Sequence, residues 1–232
     1  MKKLLVVISV YMFTGLLTGQ QVYWSVYELN IGRENRTAVV DLMDKWFSSD
    51  DYSSKANVAL YQIHFTGADK DVTHELHFFS EDLSEMNKLY SGDYNPKFDL
   101  FLTKLNQLSD GKNAFTGKSL FRVDPKESND HKFVAVWLLD VQDAAVYTTA
   151  FEKMVNKTKK LRSGHHFSFG TTLFGIEPGV NHYVLHTFES YKEMMQIMER
   201  YTENKDFQDF VKTISPIRTM VYNITRNLVK RW

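Results

Sequence analysis

The chain has 232 residues, with 28 Lys+Arg balancing 28 Asp+Glu, 43% hydrophobic and 14% aromatic residues. This is the make-up of a globular protein and excludes a disordered, collagen-like or disulfide-framed chain. Zero net charge leaves no electrostatic basis for nucleic-acid binding, and the lack of cysteine excludes disulfides, thiolate metal sites, cysteine nucleophiles and lipid acylation at cysteine.

Met1-Lys2-Lys3, the apolar run Leu4 to Leu17 and the small residues Thr18 and Gly19 have the layout of a secretory signal peptide. The run is shorter than the roughly 20 residues a membrane helix needs. Residues 1–19 are therefore expected to be cleaved, leaving a secreted or periplasmic chain with no membrane association; the alternative is an uncleaved N-terminal anchor. A cysteine-free mature chain suits an oxidising compartment.

A first strand is predicted over Trp24 to Asn30 and a helix over Glu34 to Ser49, with Ala38, Leu42, Met43, Trp46 and Phe47 at helical spacing. Strands Val58 to Thr66 and Glu75 to Phe79 follow, then a helical region from Ser84 to Leu108, interrupted near Gly92 and restarting at Pro96. A short strand, Ser119 to Val123, ends before Pro125. The same order then recurs. Strand Phe133 to Leu139 precedes a helix capped by Asp143 and running to Lys160. Strands Phe167 to Phe174 and Tyr183 to Phe188, helix Tyr191 to Ile214 and strand Arg218 to Thr225 complete it.

Residues recur at an offset of 109. Leu29 matches Leu138, His77 matches His186, and Asn95, Phe98 and Phe101 match Asn204, Phe207 and Phe210. This predicts a tandem duplication, with modules at 20–127 and 128–232 joined through the polar stretch Asp124 to Lys132. The order β-α-β-β-α-β is the ferredoxin-like unit. The fold class is α+β: two tandem modules whose antiparallel sheets face each other as an α+β barrel. Alternate positions on Phe133 to Leu139 are apolar on both faces, so both need cover, and the other module's sheet supplies it.

The stretch His186-Thr187-Phe188-Glu189-Ser190-Tyr191-Lys192-Glu193-Met194, with Phe207 and Phe210 behind it, resembles the strand-turn-helix of antibiotic-biosynthesis-monooxygenase-type and NIPSNAP-like domains of the dimeric α+β barrel superfamily. The resemblance implies a barrel fold and a group that includes cofactor-free monooxygenases, haem enzymes, isomerases and members without known activity. Its monooxygenase-like members often carry a histidine in the second helix; none stands between Gln196 and Arg200 here.

The barrel interior is the natural ligand site. Strand parity places Trp24, Val26 and Glu28 inward, together with Phe133, Ala135 and Trp137. Trp24, Val26, Phe133 and Trp137 are the candidate ligand-binding residues. Glu28 with His77 or His186 is a candidate acid/base pair, because a buried carboxylate and imidazole shift each other's pKa; the alternative is a satisfied polar pair. No histidine spacing resembles a zinc site: His182 and His186 would lie about 13 Å apart on a strand. No cofactor is expected, and haem would require His186 beside a large apolar cavity. There is no Gly-x-Ser-x-Gly or phosphate-loop motif. Three readings stay open: a binder of a small apolar or aromatic molecule, a monooxygenase-like enzyme, and an interaction module whose barrel is filled by side chains. A monomer is expected, with edge contacts as the route to a dimer.

Overall fold

A computed structural model describes residues 21–67, 70–92 and 95–232; the expected signal peptide lies outside the described residues. The first half runs β1 (Tyr23–Asn30), α1 (Arg36–Phe47), β2 (Asn57–Thr66), β3 (His74–Ser80), α2 (Leu83–Lys88), α3 (Pro96–Leu108) and β4 (Asp110–Val123). The second runs β5 (Phe133–Val141), α4 (Ala144–Lys157), β6 (Phe167–Phe174), β7 (His182–Phe188), α5 (Tyr191–Glu203), α6 (Lys205–Ile214) and β8 (Arg218–Arg231). Among the described residues no helix is long and apolar enough to cross a membrane.

Local chemistry starts the helices. The Asn95 side chain accepts from the N–H groups of Lys97 and Phe98, with Pro96 in the first turn. Asn204 accepts from Phe207 N–H and divides the single helix expected over 191–214 into α5 and α6. The recurrent asparagines are thus caps, and the aromatics behind them pack on the sheets: Phe101 beneath α1, and Phe210 beneath α4.

All eight strands form one closed antiparallel barrel in the order β1-β3-β2-β8-β5-β7-β6-β4. Within each half the order is that of a ferredoxin-like sheet, β4-β1-β3-β2 and β8-β5-β7-β6. Two further ladders, β2 with β8 and β4 with β6, seal the halves together. The sealing strands β4 and β8 have 14 residues each, far longer than the expected 119–123 and 218–225. β4 pairs first with β1 and then with β6, and β8 first with β5 and then with β2, which carries each strand through its full length, Gly111, Gly117 and a largely polar sequence included.

The helices cover the outside. Leu29, Val58, Leu60 and Leu76 pack outward against α1 and α3. Leu139, Phe167, Phe169 and Val184 pack outward against α4 and α6. A separate apolar cluster containing Val134, Val136, Leu138, Tyr183 and Ile224 fills part of the lumen.

The expected inward face of β5 is corrected here. Phe133, Ala135 and Trp137 pack outward with Met194, Ile197 and Tyr201 of α5, while Val134, Val136 and Leu138 face the lumen. Val26 is opposite His77, and Ala135 is opposite His186, so an offset of 109 matches the rungs of the two ladders. It does not match their faces, because Val26 and His77 line the lumen while Ala135 and His186 point to the helices. Side chains alternate with period two, so a one-residue difference in how each strand sits exchanges its faces.

Candidate functional site

The barrel encloses a cavity of about 220 Å³, opening at the end where Arg122, Asp124, His131 and His166 lie. An apolar cavity of ~150 Å³ accommodates benzene, so this space suits a molecule of one or two rings. Val134, Val136, Leu138, Leu185 and Ile224 form an apolar wall.

Trp24 and Tyr183 flank it. The Trp24 indole N–H donates to the Tyr183 hydroxyl at 3.1 Å, and the rings meet edge-to-face with centroids 5.2 Å apart. Two glycines make room for them. A Cβ on Gly117 would stand 2.3 Å from Trp24 Cζ2, and one on Gly170 would stand 2.5 Å from Tyr183 Cε1. Each glycine is the cross-strand partner of the ring above it.

An ionic cluster adjoins this wall, with Arg226 the cross-strand partner of Val134. Glu75 and His77 share the inward face of β3, and Arg226 reaches them from β8. Arg226 Nη1 donates to Glu75 Oε2, and the His77 imidazole lies 2.9 Å from the same oxygen. The guanidinium sits 4.6 Å above the Tyr61 ring, which also meets His77 edge-on at 5.0 Å. Burial alone would raise the Glu75 pKa, but the Arg226 charge and the His77 hydrogen bond overcome it and hold the carboxyl at about 2. Burial, then the Arg226 charge, bring His77 down to about 4 against the opposing pull of Glu75, so the imidazole is neutral at pH 7. Among the described residues Glu75 Oε1 and Arg226 Nε have no hydrogen-bond partner.

A second polar chain runs along the mouth. His166 Nδ1 is 3.0 Å from Asp124 Oδ1 and its Nε2 is 3.3 Å from Ser168 Oγ. Arg122 donates to both Asp124 and Glu81. His131 Nδ1 is 3.1 Å from Thr187 Oγ1.

The other expected site residues lie elsewhere. Glu28 points inward but forms the closed floor, where Lys70 Nζ donates to it at 2.9 Å, to Glu177 at 2.7 Å and to the Tyr222 hydroxyl at 3.2 Å. Burial raises the Glu28 pKa against the opposing Lys70 contact. His186 is outside the barrel wall, fully buried in a cage of Phe167, Phe188, Tyr201 and His165, and neither ring nitrogen has a hydrogen-bond partner among the described residues. Glu28 and His186 therefore cannot act as a pair, and Phe133 and Trp137 cannot touch a lumen ligand. Sequence reasoning passed over Glu75 and Arg226, although Glu75 precedes His77 by two and Arg226 follows Ile224 by two, so alternation places both on the lumen face.

A haem does not fit these residues. The space around His186 is filled by aromatic rings. His77 is engaged by Glu75 and Arg226, and the cavity beside it is smaller than the roughly 300–1,000 Å³ of ordinary small-molecule pockets. Among the described residues, no group of three or more His, Asp or Glu is arranged to hold a metal ion.

No protein-family model matches the chain, and no curated protein matches it significantly. Solved structures share its architecture. A proposed monooxygenase from Fusobacterium nucleatum superimposes with a TM-score of 0.62 at 13% identity, over 90% of this chain and 93% of that one. An anthrone oxidase-like protein gives 0.59 at 10% identity, over 92% and 93%. A haem-binding protein from Thermus thermophilus gives 0.54 at 7% identity, over 92% and 93%. At these identities the likeness is one of fold: the chain has the α+β barrel architecture of monooxygenase-like and chlorite dismutase-like proteins.

Proposed function

We propose that the lumen binds a small, mainly aromatic or apolar molecule carrying one polar group. The observation that carries this reading is the division of the cavity into an apolar wall and a buried Glu75–His77–Arg226 cluster. The apolar wall removes the ligand's rings from water at about 25 cal/mol per Å². The cluster sets orientation, because a phenolic or carbonyl oxygen placed there meets a guanidinium and a neutral imidazole. Titrating the protein with 2-naphthol tests this. Saturable quenching of Trp24 fluorescence, lost in Trp24→Phe and weakened in Arg226→Met, supports it; no saturable quenching overturns it.

A second reading, an enzyme of the monooxygenase-like kind, is favoured by one feature. His77 is a neutral imidazole whose Nε2–H donates to Glu75, so Nδ1 is the nitrogen that can accept a proton while Arg226 stabilises the anion left behind. Oxygen consumption with phenolic substrates in air checks it, and a Glu75→Gln variant with an unchanged rate would remove this cluster from any turnover.

Export before folding and a monomeric state belong to the same proposal. Support for the first is the basic-apolar-small layout of residues 1–19. Support for the second is the barrel's closure within one chain. N-terminal sequencing of exported protein and sedimentation measure them.

A further inference from the structure

The geometry points to a nucleophilic serine at the barrel mouth: Ser168, with His166 as its general base and Asp124 orienting that base, set to cleave small esters of apolar acids or alcohols. This rests on the reading of the lumen as a ligand pocket and deepens it by naming a substrate class.

Ser168 lies on β6, His166 just before that strand and Asp124 just after β4. His166 and Ser168 lie two apart at the start of β6, so their side chains share the lumen face. Asp124 follows the end of β4, whose register sets Arg122 opposite Ser168. The result is a continuous relay, with 3.0 Å from Asp124 Oδ1 to His166 Nδ1 and 3.3 Å from His166 Nε2 to Ser168 Oγ. The second distance is the loose contact usual before substrate binds.

The Asp124 carboxyl is ionised. His166, Arg122 and their hydrogen bonds hold the Asp124 carboxyl at about 2, against the effect of burial. In the neutral imidazole, an Nδ1–H donating to the ionised Asp124 leaves Nε2 as the acceptor for the serine hydroxyl. Tyr183, whose oxygen accepts from the Trp24 indole, stands beside Ser168, and Arg122 flanks Asp124. Ser168 is 4% exposed, within the cavity rather than on the outer surface, so access is through the mouth.

In the reaction Ser168 Oγ forms a bond to the ester carbonyl carbon while Nε2 takes the hydroxyl proton. The bond to the alkoxide breaks, and that proton passes to the departing alcohol. Water then adds to the acyl-serine with His166 again as base, releasing the carboxylic acid and restoring Ser168. No redox partner is needed. This nucleophile has no Gly-x-Ser-x-Gly signature because barrel closure, not a strand-turn-helix elbow, assembles it.

The test is covalent labelling of the full chain with a small alkyl fluorophosphonate, read by intact mass and peptide mapping, alongside 2-naphthol quenching of Trp24. The expected result is one adduct on Ser168, absent in Ser168→Ala and after unfolding in urea. Labelling should slow by roughly tenfold or more in His166→Gln and Asp124→Asn, and p-nitrophenyl butyrate hydrolysis should fall in parallel. No adduct, an adduct elsewhere, or a rate indifferent to His166→Gln overturns the inference. If quenching persists in that case, the lumen reading stands without the triad; if quenching is also absent, both fall.

Discussion

Glu75 and Arg226 stand 151 residues apart in sequence and form a buried ion pair across the lumen wall, with side chains 1% and 6% exposed. The pair joins the two halves of the chain through the β2–β8 seal, so it reports on closure as well as on the site.

Removing one member leaves the other charged and buried. Arg226→Met is expected to lower stability by about 3–5 kcal/mol, measured by urea denaturation. Replacing both, as Glu75→Leu with Arg226→Met, should recover much of that loss. A double variant as unstable as the single one would show that the pair is not the source. Glu75 also predicts a pH response. Its folded pKa is depressed to about 2 from an ordinary value of 4.5, so its contribution is present above 4.5 and is lost as pH falls from there toward 2. Glu75→Gln should lack that slope.

His186 predicts acid sensitivity at higher pH. Burial, then the nearby His165 and Arg162, hold its pKa well below 6.5. An imidazole with a depressed folded pKa favours folding above 6.5 and opposes it progressively as pH falls below 6.5. His131 and His182, both lowered by burial, add to this. His186→Phe fills the cage and removes two unpartnered nitrogens, so stability should rise by about 1–3 kcal/mol. The advantage over wild type should be larger at pH 5 than at pH 8; an equal advantage at both would count against a neutral buried imidazole.

Gly117→Ala tests the space given to Trp24. The added methyl would lie 2.2 Å from the Thr171 carbonyl and 2.3 Å from the indole. We expect a cost of about 1–3 kcal/mol from overpacking, a shifted Trp24 emission and weaker 2-naphthol quenching. Gly111→Ala, which meets nothing within 4 Å, is the matched control.

Lys70→Met opens the floor clasp. Glu28, 3% exposed, loses its cation and its pKa rises further above the ordinary value. A carboxyl with a raised folded pKa favours folding below its unfolded pKa and opposes it as pH climbs. The variant should therefore be nearly as stable as wild type at pH 4.5 and about 1–3 kcal/mol less stable at pH 7. Thermal unfolding at the two values decides it.

The alternation and helical stripes along this chain carried most of the element order, and apolar residues on both faces of β5 already required a second layer on each side. Trp24 and Val26 could be placed inward from their own strand. Faces in the second half could not be assigned by analogy with the first, because matching Leu29 with Leu138 or His77 with His186 aligns ladder rungs while a one-residue difference reverses the side chains. The ends of β4 and β8 were equally hidden, since Gly111 and Lys230 become strand only by pairing with β1 and β2, and Gly117 by lying between β1 and β6. Tertiary closure brought Arg226 to Glu75 and Asp124 to His166: such pairs depend on how far each strand has slid along the next, and that displacement is set by the whole ring of strands at once.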